Sequence, residues 1–85
     1  MPTAVSVRFF ASLREAVGED RMDLDIEAPR VSGVRSKLES LLGAEAFEAL
    51  SANGVRVCVN QMIVRDDVGL CTGDEVAFLP PVTGG

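Results

Sequence analysis

The residues best suited to chemistry stand at the end of the chain, where Pro80-Pro81 are followed by Val82-Thr83 and then by Gly84-Gly85. Proline donates no backbone N–H and holds φ near the polyproline value, so these two prolines end any preceding strand and extend the chain as a stiff arm. The arm, residues 80–85, spans roughly 20 Å when extended at about 3.3 Å per residue. A frayed terminus is the alternative interpretation, but a terminal Gly-Gly arises by chance in only about 0.5% of chains.

A terminal carboxylate is a poor electrophile until it is activated, typically as an acyl-adenylate formed with ATP. Glycine at the last position removes the Cβ from the path of a nucleotide phosphorus and of an attacking nucleophile, and a second glycine lets the backbone fit a narrow channel. Attack by a sulfide donor on activated Gly85 gives a thiocarboxylate, whereas attack by a lysine amine gives a protein conjugate. The sequence therefore predicts a carrier or a modifier that reacts through its C-terminal carboxylate.

Composition limits the classes of partner. The 85 residues suit one small domain, 47% of them are hydrophobic, and the net charge of −5 opposes binding to nucleic acid or to an anionic membrane. The same charge favours a partner with a basic groove. The chain has neither an apolar run of membrane-spanning length nor the features of a signal peptide, so we expect a cytoplasmic protein.

The side chains offer little catalytic chemistry of their own. Cys58 and Cys71 are not in C-x-x-C spacing and the chain has no histidine, so we expect neither a metal site nor a Cys-His nucleophile, and the two thiols are predicted to be buried or idle. The commonest general base is also missing. We expect no permanently bound cofactor, and catalysis supplied mostly by a partner.

Hydrophobic periodicity predicts short strands and one main helix. Ser32 is a plausible N-cap for this helix, which runs to about Leu42 and stops at Gly43. Its apolar stripe comprises Val34, Leu38, Leu41 and Leu42. Strands are predicted over residues 5–10, 22–26, 55–59, 62–64 and 74–79. A short helical connection over residues 11–17 closes at Gly18, residues 44–52 are weakly helical, and Leu70 is the expected anchor of the loop over residues 66–73.

This order of elements predicts an α+β fold of the ubiquitin-like β-grasp type: a mixed sheet of about five strands with the helix packed on one face. The first and last strands lie parallel at its centre. The domain covers residues 1–79 and the arm residues 80–85. Val76 and Phe78 are expected to face the helix, so Leu79 and Phe10 share the open face as a docking patch beside the arm.

Three segments resemble the family of molybdopterin synthase small subunits, the sulfur carriers of molybdenum cofactor synthesis. They are VRFFASLRE at residues 7–15, VNQ at residues 59–61, and GDEVAFLPPVTGG at residues 73–85. The resemblance spans the chain, although only the helical pattern agrees over residues 31–55. Leu79 stands where relatives often carry an aromatic residue.

The resemblance implies a sulfur-donating, non-catalytic subunit. An activating enzyme would use ATP to adenylate Gly85, a sulfur donor would convert it to a thiocarboxylate, and the large synthase subunit would receive the arm. Sulfur from two such carriers would then form the dithiolene of molybdopterin on a cyclic pyranopterin precursor. The implied assembly is a heterotetramer with two large subunits at its centre, contacted by Phe10, Leu79 and Arg14 of the small subunit.

Two other functions use the same ending. A thiamine-pathway sulfur carrier has this fold and a diglycine, but usually lacks the Phe-Phe-Ala-x-x-Arg-Glu segment and the Pro-Pro before the arm. A ubiquitin-like modifier keeps Gly84-Gly85 and forms isopeptide bonds to lysines. High-mass conjugates would indicate a modifier, and a thiocarboxylate a carrier.

Overall fold

The computed structural model describes residues 2–81, within which the chain forms five strands and three helices. In chain order they are β1 Thr3–Phe9, α1 Ala11–Val17, β2 Arg21–Ile26, α2 Val31–Leu41, α3 Ala44–Leu50, β3 Arg56–Val59, β4 Met62–Val64 and β5 Glu75–Leu79. None of these three helices is long and apolar enough to cross a bilayer.

The five strands form one mixed sheet in the order β2-β1-β5-β3-β4. The central strands β1 and β5 run parallel, with Val7 opposite Val76 and Phe9 opposite Phe78. The other neighbours are antiparallel. This order, with the terminal strands paired at the centre and the helices packed together, confirms the predicted ubiquitin-like β-grasp fold.

The core lies between one face of the sheet and the helices. Alternate residues of β1 and β5 point into it because successive strand residues face opposite sides of a sheet. At its centre Phe9 and Phe78 stack with ring centroids 5.9 Å apart. The helices contribute the apolar side chains Leu13, Val31, Val34, Leu38 and Leu50, and Leu70 is buried as expected. Because these residues are buried on the core side of the sheet, the alternate residues of each strand lie on the opposite side.

The start of α2 differs from the prediction. The N-cap is Arg30, which makes no side-chain capping hydrogen bond, so the prediction of Ser32 as N-cap is wrong. Ser32 lies inside the first turn, where its backbone N–H donates to Asp67 Oδ1 at 2.7 Å and its hydroxyl donates to Asp67 Oδ2 at 2.8 Å. Asp67 thus satisfies a helix N–H that would otherwise lack a partner. The capping carboxylate comes from a loop 35 residues further along the chain.

At the end of α2 the prediction that Leu41 belongs to the buried apolar stripe is wrong. Leu41 is 51% exposed, whereas Leu42 is half-buried and packs against the core. Leu42 is the C-cap and has extended backbone angles, so the chain leaves the helix there and turns this side chain inward. Adjacent helix residues point about 100° apart, so Leu42 displaces Leu41 from the apolar stripe.

Candidate docking face and arm root

The face of the sheet opposite the core, called here the open face, carries the alternate residues of each strand. On β1 these include Ser6 and Arg8, and on β5 they are Glu75, Ala77 and Leu79. The open face is acidic toward β2, where Asp23 and Asp25 are exposed, and basic toward the arm, where Arg8 and Arg56 flank Ala77 and Leu79.

Phe10 lies at the end of β1 and is fixed by backbone bonds. Its N–H donates to the Phe78 carbonyl at 3.2 Å, which extends the parallel ladder by one step, and its carbonyl accepts from the Leu13 N–H at 3.0 Å. Its backbone is extended and it serves as N-cap of α1. The Arg8 guanidinium carbon lies 4.9 Å from the centroid of the Phe10 ring, and 36% of Phe10 is exposed. The aromatic ring is therefore held on the side of Arg8, at the open face.

An apolar strip crosses the open face from Phe10 to β4. Ala77 pairs with Cys58, Cys58 pairs with Ile63, and Leu79 follows Ala77 on the same side of β5. Ile63 is 56% exposed, while Ala77 and Cys58 are buried among their neighbours. We call this strip, which consists of Phe10, Ala77, Leu79, Cys58 and Ile63, the apolar ribbon. Ile63 was missed in the sequence because a three-residue strand shows too little alternation to assign its faces.

The root of the arm lies where β5 ends. Leu79 is half-buried opposite Arg56, Pro80 is half-buried, and Pro81 is exposed. Pro81 passes so close to Gly54 that a Cβ on Gly54 would lie 2.8 Å from the Pro81 Cβ, and Gly54 has a φ of +87°. Both the left-handed backbone and the close approach require glycine here. The Asn53-Gly54 turn thus supports the arm, a role that the turn motif alone did not reveal.

The other end of β5 is held by polar groups. Asn60 Nδ2 donates to Asp74 Oδ1 at 3.0 Å, the Glu75 N–H donates to Asn60 Oδ1 at 2.9 Å, and the Cys71 N–H donates to Asp74 Oδ2 at 2.8 Å. The Cys71 N–H and then the Asn60 amide hold the pKa of Asp74 below its ordinary value. We call Asn60, Cys71, Asp74 and Glu75 the polar clip. It fixes the strand at the end opposite the arm.

The remaining predicted residues take different places. Arg14 lies on α1 one turn beyond Phe10, whose carbonyl accepts from the Arg14 N–H at 3.4 Å, and it is exposed. Cys58 is buried in the apolar ribbon, Cys71 is exposed, and both thiols are free. Among residues 2–81 no cluster of cysteine, aspartate and glutamate is placed to hold a metal ion.

Four of the predicted arm residues, Val82, Thr83, Gly84 and Gly85, lie outside the described residues, as does the predicted reacting carboxylate. The boundary between a domain of residues 1–79 and an arm of residues 80–85 stays a prediction. Residues 2–81 place Pro80 and Pro81 at the end of β5, beside the apolar ribbon.

Comparison with known proteins identifies the family. The model of the ThiS family matches residues 7–85, which include the arm to its last residue. The chain belongs to the ThiS family. It is 41% identical over 81 residues to the molybdopterin synthase sulfur carrier subunit of Escherichia coli strain K12, an alignment that covers 95% of this chain and 99% of that relative.

Solved structures that resemble this ThiS-family chain come from two functional settings. The solution structure of small archaeal modifier protein 1 from Methanosarcina acetivorans matches with a TM-score of 0.82 and 25% identity, and covers 100% of this chain and 99% of that one. A complex of subunits 1 and 2 of the molybdopterin-converting factor from Helicobacter pylori matches with a TM-score of 0.72 and 25% identity, and covers 98% and 100% of the two chains.

Proposed function

We propose that this protein is the sulfur carrier subunit of molybdopterin synthase. The observation that carries the proposal is that the family match includes Gly84-Gly85 and that β5, the strand before them, ends beside the apolar ribbon. The E. coli relative, which aligns over nearly the whole chain, is named for that function. The protein is then a sulfur-donating subunit and contributes no catalytic side chain of its own.

The proposed chemistry takes place on the α-carboxylate of Gly85. An activating enzyme transfers AMP from ATP to the carboxylate and releases pyrophosphate. A sulfur donor then attacks the acyl carbon, the bond to AMP breaks, and the terminus becomes a thiocarboxylate. The thiocarboxylate donates sulfur to a cyclic pyranopterin precursor, and two carriers supply the two sulfurs of the dithiolene. We propose that these ATP-dependent steps take place in the cytoplasm.

The apolar ribbon is the surface we propose for docking. Apolar side chains that adjoin one another on the surface of a small domain commonly mark a protein-binding site. Phe10 and Leu79 adjoin the arm root, and Ala77 and Cys58 connect them to the exposed Ile63. The large synthase subunit and the activating enzyme both need to hold this face while the arm reaches their active sites. The H. pylori complex of two subunits supports the first of these partners. A heterotetramer with two central large subunits follows from the same proposal.

A ubiquitin-like modifier is the second candidate, and the match to small archaeal modifier protein 1 favours it. That function uses the same activated terminus but transfers it to a lysine amine, with loss of AMP and formation of an isopeptide bond. A thiamine-pathway carrier would form the same thiocarboxylate without the large synthase subunit. The products therefore distinguish the three functions.

The length of the arm provides the test. We expect deletion of Gly85, or addition of one alanine after it, to abolish thiocarboxylation or sulfur transfer. One residue changes the reach by roughly 3.3 Å, and a misplacement of about 1 Å costs about 100-fold in rate. Each variant is incubated with activating enzyme, ATP and a sulfide donor, and intact mass, dithiolene formation with the large subunit and melting temperature are measured.

The melting temperature should not change, because no buried core residue of the described chain follows Phe78. Full activity of the alanine-extended protein without trimming would contradict the terminal-carboxylate mechanism. Replacement of both Cys58 and Cys71 by alanine is the control for a persulfide route, and it should leave thiocarboxylation intact. Accumulation of high-mass conjugates with no thiocarboxylate would favour the modifier.

A further inference from the structure

A groove of about 610 Å³ lies on the core side of the sheet, between the first turns of α2 and the strands β3 and β4. Its apolar walls include Val31, Val55, Val57 and Val64. The helices do not fill this edge of the sheet. The groove adjoins the end of the apolar ribbon at Ile63, which belongs to both, while the rest of the ribbon lies on the opposite face of the sheet.

Three arginines line the groove: Arg35, Arg56 and Arg65. The one ion pair among residues 2–81 joins Arg21 to Asp23, so none of the three has an ion-pair partner in the described part of the chain. The Arg35 guanidinium carbon lies 5.4 Å from the centroid of the buried Phe78 ring, which anchors one cationic group at the edge of the core. We call this feature the arginine groove.

Two carboxylates also line the arginine groove, Asp66 and Asp67. Both oxygens of Asp67 are bonded to Ser32, so this side chain is already engaged within the fold. Three arginines against two aspartates give the lining a charge of +1, while the whole chain carries −5. The groove is thus a locally basic site on an acidic protein, and charge complementarity favours an anionic occupant.

The arginine groove is continuous with both parts of the proposed docking surface. Arg56 and Ile63 line the groove and also belong to strand positions of the open face. Gly54 lines it at the point where Pro81 passes. A protein that covers the apolar ribbon and receives the arm therefore reaches the groove at the edge formed by β4 and the Gly54 turn.

We propose that the arginine groove binds a segment of the large synthase subunit that carries Asp or Glu side chains among apolar residues. A compact anion would use the arginines and leave the valine walls bare, whereas an extended acidic segment uses both. This inference rests on the proposed function, since the segment belongs to the protein that receives the arm. The contact adds orientation and selectivity to the binding provided by the apolar ribbon.

The test compares binding of the large subunit to the full-length wild-type protein and to variants, by calorimetry at low and high salt. We expect Arg65→Glu to raise Kd about fivefold at low salt, and the deficit to shrink at high salt because salt screens charge pairs. Arg65→Gln, which removes the charge without reversing it, should show part of this loss, and it replaces Arg65→Glu if that variant folds poorly. The control Lys37→Glu, whose exposed side chain on α2 does not line the groove, should bind like wild type.

Other outcomes separate the two proposals. If groove variants bind like wild type while Phe10→Asp, which lies on the apolar ribbon and outside the groove, does not bind, the docking face stands and the acidic segment is overturned. If wild type itself does not bind the large subunit, the proposed function fails and the inference fails with it. A further experiment titrates inorganic phosphate into the free protein and follows the amide signals by NMR. Saturable amide shifts around Arg35 and Arg65, together with unaltered complex formation by Arg65→Glu, would replace the acidic segment by a small anion.

Discussion

The two faces of the sheet are built from the same strands by the same alternation, yet they serve opposite purposes. On the core side Val7, Val76 and Phe78 are fully buried beneath helices. On the open side the apolar ribbon lies among arginines and ends in the exposed side chains of Phe10 and Ile63. The difference teaches that the alternation of the strands uses one face to form the core and leaves the other free for the binding that we propose.

Neighbouring residues of β5 offer the strongest test of this comparison. Phe78→Ala removes a fully buried ring that stacks on Phe9, and we expect it to lower the free energy of unfolding by about 3–5 kcal/mol. Leu79→Ala, one residue further and on the other face, should cost about 1 kcal/mol because Leu79 is only half-buried. Urea unfolding of both variants measures the difference.

Binding should show the reverse order. Leu79→Ala, Phe10→Asp and Ile63→Asp should weaken binding to the large subunit while leaving the fold intact, as judged by calorimetry and circular dichroism. Unfolding of the Phe10→Asp protein would mean that the ring belongs to the core. A Leu79→Ala protein that binds with wild-type affinity would remove the arm-proximal end of the ribbon from the docking surface.

Substitution of Gly54 tests the comparison at the point where the domain meets the arm. Gly54→Ala places a Cβ 2.8 Å from that of Pro81 on a backbone with φ of +87°, and we expect a loss of about 1–3 kcal/mol in unfolding free energy. The displaced Pro81 should also slow thiocarboxylation. The matched control is Gly43→Ala, where φ is −68° and an added Cβ meets nothing within 4 Å. Equal melting temperatures for the two variants would contradict the proposed support of the arm by Gly54.

The smallest expected effect concerns the loop that caps α2. The Ser32 backbone N–H and then its hydroxyl hold the pKa of Asp67 below its ordinary value of 3.8, so this carboxylate stabilises the fold above that pH. The contribution is lost as pH falls below 3.8 through the lower pKa of the folded state. Asp67→Asn should therefore reduce the melting temperature slightly at pH 7, and the difference from wild type should disappear in strong acid.

Asp66→Asn is the control for that experiment, because the Asp66 side chain is exposed and accepts no hydrogen bond from the described residues. A melting temperature that depends on pH identically in wild type and Asp67→Asn would show that the cap contributes nothing through its charge.

Much of the fold could be read from short-range patterns. Alternation places Val5, Val7 and Phe9 on one face, and the break at Phe10 marks both the end of β1 and a residue on the open side. The position of Leu79 on the same face follows from the alternation of β5, in which Val76 and Phe78 are fully buried on the core side. The candidate site was predictable where period-two alternation continues to the end of a strand.

What escaped prediction depends on distant pairings. The cap of α2 comes from Asp67, and no local motif around Ser32 indicates a carboxylate so far along the chain. Ile63 joins the apolar ribbon only because β4 pairs with β3, and the arginine groove requires α2 to approach the same two strands. Leu41 and Leu42 both fit the helical stripe, and the exit angle of the chain selected between them.

The position of β5 has a mechanical consequence. The strand is hydrogen-bonded on both sides, to β1 and to β3, and the polar clip secures the end away from the arm. Tension applied through Pro80 runs along the strand axis, so it loads both ladders in shear, and many bonds must yield together before the strand slips. A strand at the edge, peeled sideways, would instead open one bond at a time. A partner that pulls on Pro80, as the proposed function would require, would therefore meet high resistance before the domain begins to unfold.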